Sequence, residues 1–373
     1  MDFSLTDEQR ALADLAAQIL TDTCALERLK AVERSDERYD RELWAALAKA
    51  GLLGAALPES VGGSGGGFVE ICLLLEQQGK RVAMLPLVST IVSAAMPLAR
   101  FGSAEQQQRY LPGVVRGDTL LSAALTELGT DAHAPTTTAT PDGTGWHLSG
   151  VKVAVPMAHR AAAVLVPARL PDGRVGIFLV DPQAPGVSLA QQETTNWEAH
   201  SHMELAQVLV ATDALLGSIA QGAEILEWIL NRTTVGLCAI AAGACQEAVR
   251  LTAEYASNRK QFDKPIAMFQ AVGQRMADSF IDNEAVGLTM WQAATRLNDD
   301  MPSAKEIATA KYWAAEGGSR IGHAALHIHG GISIDVDYPI HRYFLWVKQI
   351  ENTLGAATPQ LARLGALLAA EPA

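Results

Sequence analysis

Apolar residues fall into three successive patterns along the chain. Up to about residue 101 they recur at spacings of three and four, the mark of helices that bury one face. Thr6 with Gln9 reads as a capping box ahead of Leu12, Leu15, Ala16 and Ile19. A charged link from Arg34 to Asp40 leads to a second amphipathic helix through Leu43, Trp44, Leu47 and Ala48, stopped by Gly51. Residues 70–79 and 87–101 are helical in composition, and Ser103 with Gln106 forms another capping box. From Leu120 the pattern shortens to β-prone runs at 121–126, 136–140, 146–148, 151–155, 163–166, 175–180 and 187–189, separated by Pro-Asp-Gly and Ser-Gly turns. Beyond 205–216 long helices return, at 219–257, 269–297 and 303–329. The closing stretch then places a glycine turn at Gly330-Gly331 and a stop at Asp337-Tyr338-Pro339. A last helical stripe follows through Ile340, Phe344, Val347, Ile350 and Leu354.

Helices, then strands, then helices describe an α+β fold in three parts. The expected domains are an N-terminal helical domain (1–119), a middle β-domain (120–217) and a C-terminal helical bundle (218–373). The length of 373 residues suits two or three domains, and 49% hydrophobic residues suffice for their cores. A formal net charge of −12 argues against a nucleic acid or an anionic membrane as partner, since either needs a basic face. The four cysteines (Cys24, Cys72, Cys238, Cys245) form no CxxC pair and fit reduced, buried thiols, hence a cytoplasmic setting. The N-terminus has no basic-then-apolar leader pattern, and no run of eighteen apolar residues occurs, so no membrane span is expected.

Several local patterns invite chemistry. VGGSGGGF at 61–68 lacks the last glycine of GxGxxG and follows a proline-bearing loop where a strand is needed, so it reads as a turn. His200 and His202 share a face if they lie on a strand, but no third ligand accompanies them, and no metal is expected. His327 and His329, two apart on a helix, do not face the same side. Signatures of serine hydrolysis, zinc hydrolysis and ATP chemistry are absent. The basic cluster Arg259, Lys260 and Lys264 with Phe262 ends a long helix in an acidic protein. Cations at a helix C-terminus are favoured by its dipole. The same residues also suit an arginine on a phosphate with an aromatic under a base. Composition leaves both readings open.

Taken together, Arg259-Lys-Gln-Phe262, Phe269-Gln270, the HGG of 329–331, Asp337-Tyr338-Pro339, Leu125-Thr126-Glu127 with Gly129-Thr130-Asp131, and the early LPESVGGSGGG resemble the acyl-CoA dehydrogenase family over nearly the whole chain. The resemblance implies a helical domain, a β-domain and a C-terminal four-helix bundle that hold FAD between two subunits. It implies contacts from Arg259, Phe262, Gln270, His327 and Gly331 to the pyrophosphate and adenosine of a neighbouring subunit's FAD. At His327 the family usually has glutamine.

Family chemistry removes the α-proton of an acyl-CoA with a glutamate while the β-hydrogen leaves as hydride. The two positions where the family places that glutamate correspond here to Leu354 and Thr233, neither of which takes a proton. Where the family packs a tryptophan and a threonine against the flavin, this chain has Ala154 and Pro156-Met157, after Lys152. Ala356 replaces the threonine that follows Gly355. No catalytic residue is therefore expected, and the chain resembles the non-catalytic subunit of actinobacterial steroid side-chain dehydrogenases built as α2β2 tetramers. Such a subunit implies a second dehydrogenase subunit as partner, FAD shared with it, an acyl-CoA substrate and a flavoprotein-type electron acceptor. Two alternatives remain: a self-sufficient homotetramer in which Glu351, three residues before Leu354, is a displaced base, and a flavin-free scaffold. Glu351 is otherwise a carboxylate on a polar helix flank beside Lys348.

Overall fold

A computed structural model describes residues 3–370. Among the described residues six α-helices precede the strands: α1 (Asp7–Thr23), α2 (Leu26–Glu33), α3 (Arg41–Lys49), α4 (Phe68–Arg81), α5 (Met96–Phe101) and α6 (Ala104–Arg116). Both expected capping boxes form, at Thr6/Gln9 and Ser103/Gln106. Helix α2 lies in a stretch without an apolar stripe, and Leu29 is its one buried residue, which is why periodicity does not reveal it. Residues Val88–Ala95 wind as a π-helix into α5, not as one α-helix over 87–101.

Seven strands follow: β1 (Leu121–Ala123), β2 (Thr138–Pro141), β3 (Gly145–Pro156), β4 (Ala163–Arg169), β5 (Val175–Val180), β6 (Val187–Gln192) and β7 (His200–Ala211). They form one sheet in the order β1-β4-β2-β3-β7-β6, with β5 also on β4. The two runs expected at 146–148 and 151–155 are one strand, β3, interrupted by register shifts against β7 at Leu148/Gly150 and Lys152/Val155. Inward residues including Leu148, Val155, Val166, Phe178 and Met203 fill the core under this sheet. The glycine run is a turn: Ser64, Gly65 and Gly66 donate their N–H groups to the carbonyls of Gly54, Leu57 and Ala55, so these amides are not offered to a phosphate.

Helix α7 (Gly222–Asn258) leads to a two-stranded hairpin, β8 (Lys260–Gln261) and β9 (Lys264–Pro265), and then to α8 (Gln270–Asn298), α9 (Ala304–His329), α10 (Ile340–Asn352) and α11 (Ala357–Ala369). By length and hydropathy, residues Ile219–Asn258 satisfy the requirement for crossing a membrane, but 78% of the apolar window is buried inside the protein, as in a core helix. The stripe expected to run to Leu354 stops at Asn352. Thr353 turns extended, and Leu354 and Gly355 take φ of 55° and 95°.

The chain folds into two compact units that cut across sequence order. One comprises residues up to Ala31, Phe68–Met84 and everything from Thr234; the other comprises Val32–Gly67 and Leu85–Thr233. In the first, α9 packs on α8, α10 and α11, and α4 lies against α1 and α8. Helices α4 and α7 cross at glycines. A Cβ on Gly79 would stand 2.0 Å from the Ile240 carbonyl oxygen, and one on Gly243 1.9 Å from that of Glu76, so only glycine permits this approach. The second unit holds the seven-stranded sheet with α3, the π-helix, α5 and α6.

Candidate functional site

Arg259 follows the last residue of α7, which delivers it to the exposed base of the β8–β9 hairpin. Its backbone is fixed there: the Arg259 N–H donates to Tyr255 O at 2.8 Å, and the Ile266 N–H donates to Arg259 O at 2.8 Å. Its guanidinium has no hydrogen-bond or ion-pair partner among the described residues. At the hairpin tip Phe262 and Asp263 take φ of 52° and 63°, a left-handed pair in which a phenylalanine is unusual. Phe262 is also 87% exposed. Its ring meets Phe269 edge-on at 6.2 Å, and Lys264 Nζ stands 4.5 Å over the Phe269 ring. Gln270 opens α8, whose N-cap Phe269 supplies no side-chain acceptor; the Val272 and Gly273 N–H groups donate to Phe269 O, which leaves the Gln270 and Ala271 amides at the positive dipole end. An unpaired arginine, a lysine, an exposed aromatic and an uncapped helix N-terminus thus share one projecting arm.

The end of α9 is fastened beside that arm. Tyr255, one turn before Arg259, stacks on His329 at 4.4 Å, and Tyr338 closes on both rings. Tyr255 Oη donates to the His329 carbonyl at 3.3 Å, and His329 Nδ1 bonds Ala325 O. Gly330 then takes φ 65° and ψ −141°, a conformation open in practice to glycine alone. A Cβ at Gly330 or Gly331 would meet no atom within 4 Å, so the space over this turn is open to a ligand. His327, exposed in the last turn of α9, accepts at Nδ1 a hydrogen bond from Arg275 Nη1 in the second turn of α8. The five sequence-predicted residues Arg259, Phe262, Gln270, His327 and Gly331 therefore gather where α7 and α9 end and α8 begins. The donor set fits an anionic dinucleotide: a free guanidinium and helix dipole for phosphate, and an aromatic face for a base.

Leu354 follows the far end of α10. Buried Lys311 of α9 donates to the carbonyls of Ile350 at 2.7 Å and Glu351 at 3.1 Å, closing the last turn. Burial lowers its pKa to about 8. Gln360 Nε2 donates to Leu354 O at 3.0 Å. Because α10 has ended, Glu351 and Leu354 are not successive turns of one helix face. The Glu351 carboxylate lies 2.6 Å from Lys348 Nζ. In the other unit, Thr233 is buried and shares a hydrogen bond of 2.9 Å with Ser93 of the π-helix.

In that same unit Lys152 and Glu127 form a buried ion pair at 2.6 Å. Five donors converge on the Glu127 carboxylate: Lys152 Nζ and the backbone N–H and hydroxyl of both Thr136 and Thr137. Burial by itself would raise this carboxyl, but the donors prevail and hold it at about 2. Burial lowers the Lys152 ammonium too, where attraction alone would raise it. The direction fixed by five hydrogen bonds is that of the carboxylate. Beyond this pair the strand bulges: Ala154 is exposed at φ 51°, its N–H donating to Gln192 Oε1, and Met157 is buried at φ 52°. Neither side chain carries a ring or a hydrogen-bond donor.

His200 and His202 both lie on β7, yet their surroundings differ. His200 is buried with Nδ1 unpartnered, while His202 is half-buried with Nε2 3.3 Å from Glu204. Sequence reasoning missed Tyr255, Arg275 and Lys311. Tyr255 lies one turn before Arg259 and could have been found by counting; Arg275 and Lys311 meet partners 52 and 39 residues away and leave no local signal.

Comparison with known proteins agrees over the full length. Family models for the N-terminal, middle and C-terminal domains of acyl-CoA dehydrogenases match residues 6–118, 122–208 and 220–366. The chain is 39% identical over 381 residues to acyl-CoA dehydrogenase FadE27 of Mycobacterium tuberculosis, covering 100% of both chains. Among solved structures it resembles a chain of the ChsE4–ChsE5 complex from Mycobacterium tuberculosis, with TM-score 0.95, 40% identity and all of both chains covered. A chain of a Tcur3481–Tcur3483 steroid ACAD variant gives TM-score 0.91 and 46% identity, covering 97% of this chain and 98% of that one.

Proposed function

Since the chain belongs to the acyl-CoA dehydrogenase family, we propose that it is the non-catalytic subunit of a heteromeric FAD-dependent acyl-CoA dehydrogenase, completing a flavin site seated mainly in its partner. The observation that carries this is a contrast within the helical unit. At one end the Arg259 arm presents an unpaired guanidinium, and beside it the Gly330-Gly331 turn leaves open space. At the other, the turn after α10 is held by Lys311 and Gln360 but carries Leu354 where an acid is required. A hydrocarbon side chain has no pKa and removes no proton. Thr233, the other position for the acid, shares its hydroxyl in a hydrogen bond with Ser93.

FAD, when bound, supplies the hydride acceptor. The residues here that would hold it are Arg259 at its pyrophosphate, Phe262 and Gln270 beside it, and His327 with Gly331 at its adenosine half. Two-protein complexes among the similar solved structures support an unlike dehydrogenase subunit as partner, and an α2β2 assembly would follow the family's pairing. The steroid named for one of them favours a steroid side-chain CoA thioester as substrate. Electrons would leave to a flavoprotein-type acceptor, in the cytoplasm.

The test is to purify the chain alone and with the dehydrogenase encoded beside it, measuring flavin absorbance per chain and turnover. The expected result is little flavin and no turnover alone, flavin and turnover in the complex, and nearly unchanged turnover on Glu351→Gln in this chain. Full flavin and turnover from the chain alone would sink the proposal, as would loss of activity on Glu351→Gln. Unchanged flavin content on Arg259→Ala would favour a flavin-free scaffold.

A further inference from the structure

Arg275 is exposed in the second turn of α8, and its Nη1 donates to His327 Nδ1. Arginine has five N–H donors and no acceptor, so this bond forms only if Nδ1 carries a lone pair. In a neutral imidazole the proton then resides on Nε2. We infer that Arg275 is a positioning residue that fixes His327 as the Nε2–H tautomer and turns its one remaining donor outward to the cofactor. This rests on the reading of His327 as a flavin contact given above.

The local chemistry explains why a histidine here needs such a partner. A glutamine amide carries donors and an acceptor together and presents whichever its ligand requires. A free imidazole divides its population between two tautomers and rotates about two side-chain torsions, so a donor stands in the required place only part of the time. The guanidinium removes both freedoms by bonding Nδ1 from across the α8–α9 contact. Local sequence spacing cannot supply this pairing, since Arg275 and His327 are 52 residues apart. The arrangement is also rooted in packed structure. Ser279, one turn beyond Arg275, is buried and donates to Arg275 O, and Arg320 of α9 holds Asp282 of α8 through two bonds at 2.8 and 2.6 Å. A groove of about 610 Å³, lined by Arg275, Ser279, Arg320 and His323 among others, leaves room beside the pair.

A double-mutant cycle on the purified two-subunit complex tests this, reading FAD affinity by flavin fluorescence after removal and re-addition of FAD. Arg275→Ala should weaken FAD binding about five- to tenfold, the size of one correctly aimed hydrogen bond. Arg275→Lys, which can still donate to Nδ1, should recover most of it. In a His327→Gln background Arg275→Ala should cost nothing further, because an amide needs no tautomer fixed. An equal loss in both backgrounds would overturn the positioning role and make Arg275 a direct contact. No loss on Arg275→Ala, when Arg259→Ala does lower affinity, would overturn this inference alone. No loss with either variant would overturn the flavin-site reading and this inference with it. Unchanged melting of each complex excludes misfolding as the cause.

Discussion

Phe262 combines two unfavourable states, a left-handed backbone and an 87% exposed phenyl ring. Such a residue persists when something outside its own stability selects it. Asparagine adopts the same backbone at little cost. Phe262→Asn is therefore expected to stabilise the isolated chain by roughly 1 kcal/mol in urea unfolding, while lowering flavin absorbance per complex. Leu354 shows the complementary case. It too has positive φ, at 55°, in a turn held by Gln360 and followed by Gly355, yet its side chain offers no chemistry. The turn is built and held there, but Leu354 gives it no acid.

At the scale of elements, β7 and the loop after β1 hold two buried ionisable groups, His200 and Glu127, whose pH dependence has a definite sign. Burial holds His200 neutral, with its pKa lowered to about 4 from the ordinary 6.5. Between those values the unfolded chain binds a proton that the folded chain refuses, so stability is complete above about pH 6.5 and falls as pH drops toward 4. The loss is on the order of 3 kcal/mol. Glu127, held at about 2 by its five donors, adds a second loss from about 4.5 downward. Melting temperature against pH should show both limbs. His200→Phe, which keeps an aromatic ring but cannot titrate, should flatten the upper limb and leave the lower one. An unchanged upper limb would assign it to other groups.

For the molecule as a whole, the arm and the outer face of α8 point to another chain. Phe280, Ile281 and Leu288 of α8 are 57%, 63% and 56% exposed, while Val286, Met290 and Ala293 on its inner face are buried. Ile281 and Leu288 lie two turns apart on one face of α8 with Glu284 between them, and Phe280 flanks that stripe, so these side chains are not isolated surface apolars. With the proposed partner seated on this stripe, Leu288→Asp should abolish co-purification and flavin retention but leave the helix content of this chain unchanged by circular dichroism. Intact co-purification would move the interface elsewhere.

Periodicity and capping residues determined the three-part α+β layout, because helix faces, strand alternation and turn chemistry are local properties that neighbouring residues impose on one another. The motifs around Arg259, Phe269-Gln270 and Gly330-Gly331 were legible for the same reason: each lies at an element end, where side-chain identity controls backbone geometry. Tertiary structure alone decided how residues far apart combine. It joined Arg275 to His327 and Lys311 to the last turn of α10, and ended α10 before Leu354. It also collected the chain into two units between which the sequence passes four times. Those outcomes depend on which surfaces meet once helices pack, and no window of neighbouring residues carries that information.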